Sequence, residues 1–245
     1  MSKAPDLKIF DHLRKLPDLT GKKVAIVAMG KSNDQYIMAK TYSVNFDEVW
    51  AINVMAGIIY HDRAFMMDPA CRFLDSEVAG DQTSLMRAVL KQHKGPIYTC
   101  ELDKRCPGLV EYPLEQVVNK IKTWYLNNTV AYAIAFAIAS KVKEMQIYGI
   151  DFSYKNHVHF AEAGRACCEF LISKAIERGI RVGISGTSSL LDTNVPFEQK
   201  LYGYHRLDDP PVFETNDETF RIKKSSQINK QKQKVIDTPS EAIRL

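Results

Sequence analysis

Directly after an apolar run, the stretch QIYGIDFSYKNHVHFAEAGR places Asp151, Tyr154, His157 and His159 within nine positions. A neutral imidazole takes a proton from a hydroxyl near pH 7, so His157 and His159 are candidates for general-base work. Two rival readings stand beside that one. With Asp151 as a third ligand the two histidines could hold a divalent metal, but no further carboxylate stands at a recognised spacing and metal is not favoured. Or they are simply two exposed histidines in a loop. Glu162 and Arg165, in the first turn of the helix expected next, are placed to face the same cleft. There Arg165 either meets a phosphate or pairs with a neighbouring acid.

The other candidates stand at the carboxyl end of each apolar run, because open parallel sheets collect ligands beyond the carboxyl ends of their strands. The first run ends in MGKSND, the second in Asn53, the third in Asp68, the fifth in Asp151 and the last in SGTSS, which carries Ser188 and Ser189. Gly30 with Lys31 and Ser32 could hold an anion at a helix start, or could form a turn with Ser32 or Asn33 as its cap. The spacing is neither of the standard glycine-rich phosphate loops. Asn53 could meet a base or ribose, and Asp68, before Pro69, is either a ligand or a turn residue. The segment KLYGYHRL adds Tyr202, Tyr204, His205 and Arg206, either as a cover over a sugar or base or as a stretch that packs back across the domain.

The elements that must position these residues can be read from hydrophobic pattern. KKVAIVAMG, EVWAIN, RAFMMDP, GPIYTC, EMQIYGID and IRVGIS are continuous apolar runs, as strands covered on both faces show. Between them lie helical stretches, including the alanine-rich TVAYAIAFAIASKVK, capped by Asn128 or Thr129, and EAGRACCEFLISKAIERG, closed by Gly179. The expectation is an α/β, Rossmann-like fold with a mostly parallel sheet and helices on both faces. It divides into a catalytic domain over residues 1–213 and a polar, basic C-terminal tail over residues 214–245.

With 245 residues, 45% hydrophobic and 25% charged, the chain is long enough for one large core. No run of about 18 apolar residues exists, so no membrane partner is expected, and the charged start does not read as a secretory signal. The expected location is cytoplasmic. Five cysteines without a CxxC pair suggest reduced thiols. The net charge of +4 is uneven: RIKKSSQINKQKQK carries six basic residues and no acidic one. That tail is either a solvated segment or an arm that touches DNA phosphates. A homo-oligomer is left open.

Two motif groups carry a resemblance. VAIVAMGKSND, VWAIN and HDRAFMMDP resemble the opening of Rossmann-like glycosyltransferases related to the motility accessory factor family. NTVAYAIAFAIASKVKEMQIYGIDFSY is similar to the bacterial family 42 sialyltransferase pattern, and a hydroxymethylpterin pyrophosphokinase shares the same broad core. The resemblance spans Lys22 to Leu191. It implies a nucleotide-sugar donor held by Gly30, Ser32, Asn53 and Asp151, and metal-independent transfer. It further implies a loop histidine, His157 or His159, as base, with Tyr154 steadying the leaving phosphate. Here the histidines come immediately after the strand instead of standing on a separate lid, which is a departure from the sialyltransferase pattern. The short chain and basic tail extend the expectation to a phage-type enzyme that decorates bases in DNA. The alternatives are a pterin-type pyrophosphokinase with a cation on Asp68 and Asp151, or a non-catalytic nucleotide-binding module.

Overall fold

The computed structural model describes residues 15–77, 80, 82–153, 158–215 and 220–227. Seven strands form one sheet: β1 (Lys23–Val27), β2 (Glu48–Ile52), β3 (Arg63–Phe65), β4 (Ile97–Thr99), β5 (Leu109–Glu111), β6 (Glu144–Tyr148) and β7 (Arg181–Ile184). Every pairing is parallel, and the order is β5-β4-β3-β2-β1-β6-β7. The chain therefore builds outward from β1 on one side, crosses back, and continues from β6 on the other. The point where strand order reverses lies between β1 and β6. Ligands bind at such a crevice in open α/β sheets.

The apolar runs are continuous because both sheet faces are covered. Val24 and Ile26 of β1 join a core that includes Ile134 and Phe136 of α5 (Thr129–Ala139) and Leu171 and Ile172 of α6 (Val158–Glu177). That core also takes in Val117 and Ile121 of α4 (Leu114–Ile121). Ala25 and Val27 face a second core with Tyr36 of α1 (Asp34–Thr41). Phe73 of α2 (Cys71–Leu74) and Met86, Val89 and Leu90 of α3 (Thr83–Gln92) belong to it as well. The alanines of α5, from Ala131 to Ala139, are all buried, and their small size lets the helix lie close to the sheet. Asn128 caps it by accepting the Ala131 N–H at 3.0 Å.

Three features depart from the sequence expectation. The short strand β5 has no counterpart among the apolar runs. Helix α6 begins at Val158 rather than near Glu162, so His159 sits in a helical turn and not in a loop. Finally, β8 (Pro211–Thr215) and β9 (Phe220–Lys224) form an antiparallel pair across residue 214. Arg221 and Lys224 ride on that ribbon, and Ser226 anchors its end to Asp209 through its N–H and hydroxyl, both at 2.8 Å. Lys230, Lys232 and Lys234 lie outside the described residues. No helix among the described residues is long and apolar enough to cross a membrane. Cys106, Cys167 and Cys168 are buried and Cys71 and Cys100 exposed, all as free thiols.

At the amino-terminal edge of the sheet, His61 and His93 meet through their Nε2 atoms at 2.9 Å. The Ile59 carbonyl can only accept, so His61 Nδ1 carries the proton; the Gly95 N–H can only donate, so His93 Nδ1 does not. Hence His93 Nε2–H donates to His61, and both rings are neutral. Burial, and secondarily the repulsion between the two rings were both to carry a proton charge, hold the His93 pKa below its ordinary value. The unfolded chain thus takes this proton first as pH falls. Stability is full above about pH 6.5 and declines below it, down to the folded-state pKa. Urea midpoints at pH 7.5 and 5.5 check this: the wild type is expected to lose stability over that interval, and His93→Gln to lose less.

Candidate active site at the switch point

The loops leaving β1 and β6 are joined by hydrogen bonds centred on Ser32 and Asp151. Asp151, three residues past β6, accepts the Ser32 N–H at 2.9 Å through Oδ2 and the Ser32 hydroxyl through Oδ1. Ser32 is fully buried, and its Oγ in turn accepts the Gly149 N–H at 3.1 Å. Gly30 donates to the Gly149 carbonyl at 2.7 Å. Its φ of −62° needs no glycine; the constraint is space. A methyl group there would stand 2.5 Å from Asp151 Oδ2 and 2.6 Å from the Gly149 oxygen. The glycine loop and the aspartate are therefore parts of one seam across the crevice.

That seam changes which groups are left for a ligand. The N–H groups of Gly30, Ser32 and Asn33 point to Gly149, Asp151 and Gly30 respectively. Lys31 forms the outward part of the loop: it is exposed, and among the described residues no carboxylate pairs with it. Ser188 and Ser189 also face inward. Ser188 Oγ donates to the Ile150 carbonyl at 2.6 Å and Ser189 Oγ to the Asp151 carbonyl.

Asn53 comes directly after β2 on the same edge, with a φ of +51° that is uncommon for a side-chain-bearing residue. Its Oδ1 is buried and has no hydrogen-bond partner among the described residues. Asp68 turns to Arg72, at 2.5 Å, rather than toward Asp151. His159 is exposed in the first turn of α6, with Nδ1 3.8 Å from Glu162 Oε2. Arg165 is held by Glu169 at 2.8 Å and Asp192 at 2.6 Å, so it pairs with acids. Tyr154 and His157 lie outside the described residues. Tyr204 and Arg206 lie in a 3₁₀ turn with His205, and the Arg206 guanidinium stands 5.1 Å from the ring centre of Tyr202. Among the described residues no three His, Cys, Asp or Glu side chains gather as a metal site would require.

Sequence reasoning missed Gly149, Glu169 and Asp192. Gly149 had a signal, a glycine between an apolar run and an aspartate. Asp192 had none, since its partner comes from another element.

No protein-family model matches the chain, and no curated protein matches it in sequence. Among solved structures it is similar to the sialyltransferase CstII from Campylobacter jejuni in complex with the substrate analogue CMP-3FNeuAc. Identity is 16%, the TM-score is 0.46, and the match covers 69% of this chain and 82% of that one. The same enzyme in complex with cytidine-5'-monophosphate is similar at 18% identity and a TM-score of 0.41, with the same coverage.

Proposed function

We propose that this chain is a glycosyltransferase that moves a sugar from a nucleotide-sugar donor to a hydroxyl acceptor. The observation that carries the reading is the Ser32–Asp151 seam at the β1–β6 crevice, beside the exposed Lys31 and the buried Asn53 Oδ1, neither of which has a side-chain partner among the described residues. The seam's groups are bonded to one another, so its part is to hold the rim. Lys31 meets the donor phosphate with its ammonium group. Asn53 Oδ1 accepts from a hydroxyl or amino group of the nucleotide. The acceptor oxygen attacks the anomeric carbon, and the bond from that carbon to the phosphate oxygen breaks with its electrons passing to the phosphate. The acceptor proton goes to a base, for which His157 and His159 are the candidates.

In the pterin-type alternative a cation needs Asp68 and Asp151 together. Their carboxylates face different partners, Arg72 and Ser32, which favours the metal-independent reading. The acceptor extends in this proposal to hydroxylated bases in DNA, with the basic segment from Arg221 onward touching phosphates.

The test is a panel of CMP-, UDP- and GDP-linked sugars in magnesium-free buffer, read by thermal stabilisation and by product formed on hydroxymethylated DNA and on small acceptors. Stabilisation and transfer without magnesium support the reading; a strict magnesium requirement, or no response to any donor, overturns it. Lys31→Ala is expected to weaken donor binding by about tenfold, the loss of one charge-assisted contact, with the melting temperature unchanged.

A further inference from the structure

We propose that Arg165 and Glu169 of α6 are positioning residues that hold the loop after β7 so that it aims Asp151 at Ser32. The loop from Ser185 to Thr193 grips the strand exits by their carbonyl groups. Ser188 bonds Ile150 O, Ser189 bonds Asp151 O, and Ser185 bonds Ser32 O at 3.0 Å. Its own shape is kept by Thr193 Oγ1, which donates to Ser185 O at 2.8 Å and Ser188 O at 2.7 Å. At its far end Leu191 and Asp192 stand at φ +50° and +51°, a left-handed conformation that side chains avoid. Two consecutive strained residues persist only when their surroundings over-determine them.

Helix α6 supplies that restraint. Glu169 Oε1 accepts the Leu191 N–H at 2.7 Å and the Arg165 Nε–H at 2.8 Å. Another nitrogen of the same guanidinium donates to Asp192 Oδ1 at 2.6 Å. One carboxylate thus takes the first strained residue and one guanidinium the second. The opposite flank of Asp151 is held by the same turn of α6. Phe152, at φ +45°, packs its ring on Gly164, where a methyl group would come within 2.6 Å of a ring carbon. The aspartate is therefore set from both sides by residues 164–169, none of which need touch a ligand.

Amide hydrogen exchange on the full chain tests this without any substrate. The Ser32 N–H reports the seam, and the Ile26 N–H, in the middle of central strand β1, reports global opening. Arg165→Met is expected to speed exchange at Ser32 and Leu191 by about tenfold or more, the loss of charge-assisted hydrogen bonds, with Ile26 unchanged. Arg165→Lys, able to reach one carboxylate, should recover part of the protection. Asp192→Asn should loosen Ser32 less than Arg165→Met does, and if Arg165→Met does not fold, this variant and Arg165→Lys decide. An unchanged Ser32 in every folded variant overturns the proposal, as does a rise at Ser32 matched by the same factor at Ile26. The consequence for chemistry, a lower kcat with KM little changed, rests on the transferase reading. The exchange result does not, so the two can fail separately.

Discussion

Gly149→Ala is expected to destabilise the fold by about 3–5 kcal/mol, the sum of left-handed backbone strain and an overpacked contact that cannot relax. Gly149 stands at φ +68°, and a methyl group on it would lie 2.1 Å from the Ala28 carbonyl oxygen and 2.7 Å from its carbon. Both are backbone atoms of the loop leaving β1, so no rotamer change clears the clash. Moving apart breaks the Gly30-to-Gly149 and Gly149-to-Ser32 hydrogen bonds that close the seam. Gly179 is the control. It has a similar φ of +77° but nothing within 4 Å of a built methyl, so Gly179→Ala should cost about 1 kcal/mol of conformational strain alone. Urea unfolding of the two variants side by side decides, and equal losses would show that the close approach has no energetic weight.

Glu48→Ala is expected to cost a comparable 3–5 kcal/mol, about what leaving a buried charge without its partner costs. The Glu48 carboxylate receives Arg63 at 2.6 and 2.9 Å and the Trp50 indole N–H at 2.7 Å. The Arg63 side chain is only 12% exposed and continues to the Tyr98 hydroxyl at 3.0 Å, 5.9 Å from the centre of the Phe136 ring. Removing the acid strands a guanidinium and an indole N–H in the core. Replacing both partners, Glu48→Leu with Arg63→Met, should recover most of the loss, since an apolar pair of similar volume leaves nothing uncompensated. Burial pushes the Glu48 carboxyl pKa up, but the hydrogen bonds and charge of Arg63, aided by Trp50, outweigh it and hold the group below its ordinary value. The stabilisation is therefore complete above about pH 4.3 and is lost as pH falls through the folded-state value. Denaturant midpoints of wild type and double variant between pH 6 and 3 measure it. A double variant as unstable as Glu48→Ala would rule out the stranded charge as the cause.

Both large effects sit on residues that are plain in the sequence for one reason and important for another. Gly149 reads as a strand-ending glycine, yet its role depends on how near the β1 loop passes. Glu48 and Arg63 read as charges at the starts of two strands; parallel pairing of β2 with β3, Trp50 opposite Arg63, brings them together. The candidate site divides in the same way. Gly30, Ser32 and Asp151 were visible as strand-exit residues, but whether they present groups to a ligand or to one another is a question of hydrogen bonds made across 119 positions.

Local pattern settled the α/β class, six of the seven parallel strands, a cap at Asn128 or Thr129 and the glycine at the end of α6, because these depend on interactions within a few residues and on burial of both sheet faces. The exit of β1 beside that of β6, the Ser32–Asp151 seam and the pairing of Arg165 with Asp192 belong to the tertiary structure alone. Each joins segments whose contact is decided by strand order, and strand order is set by how the helices divide between the two faces, which no stretch of neighbouring residues encodes.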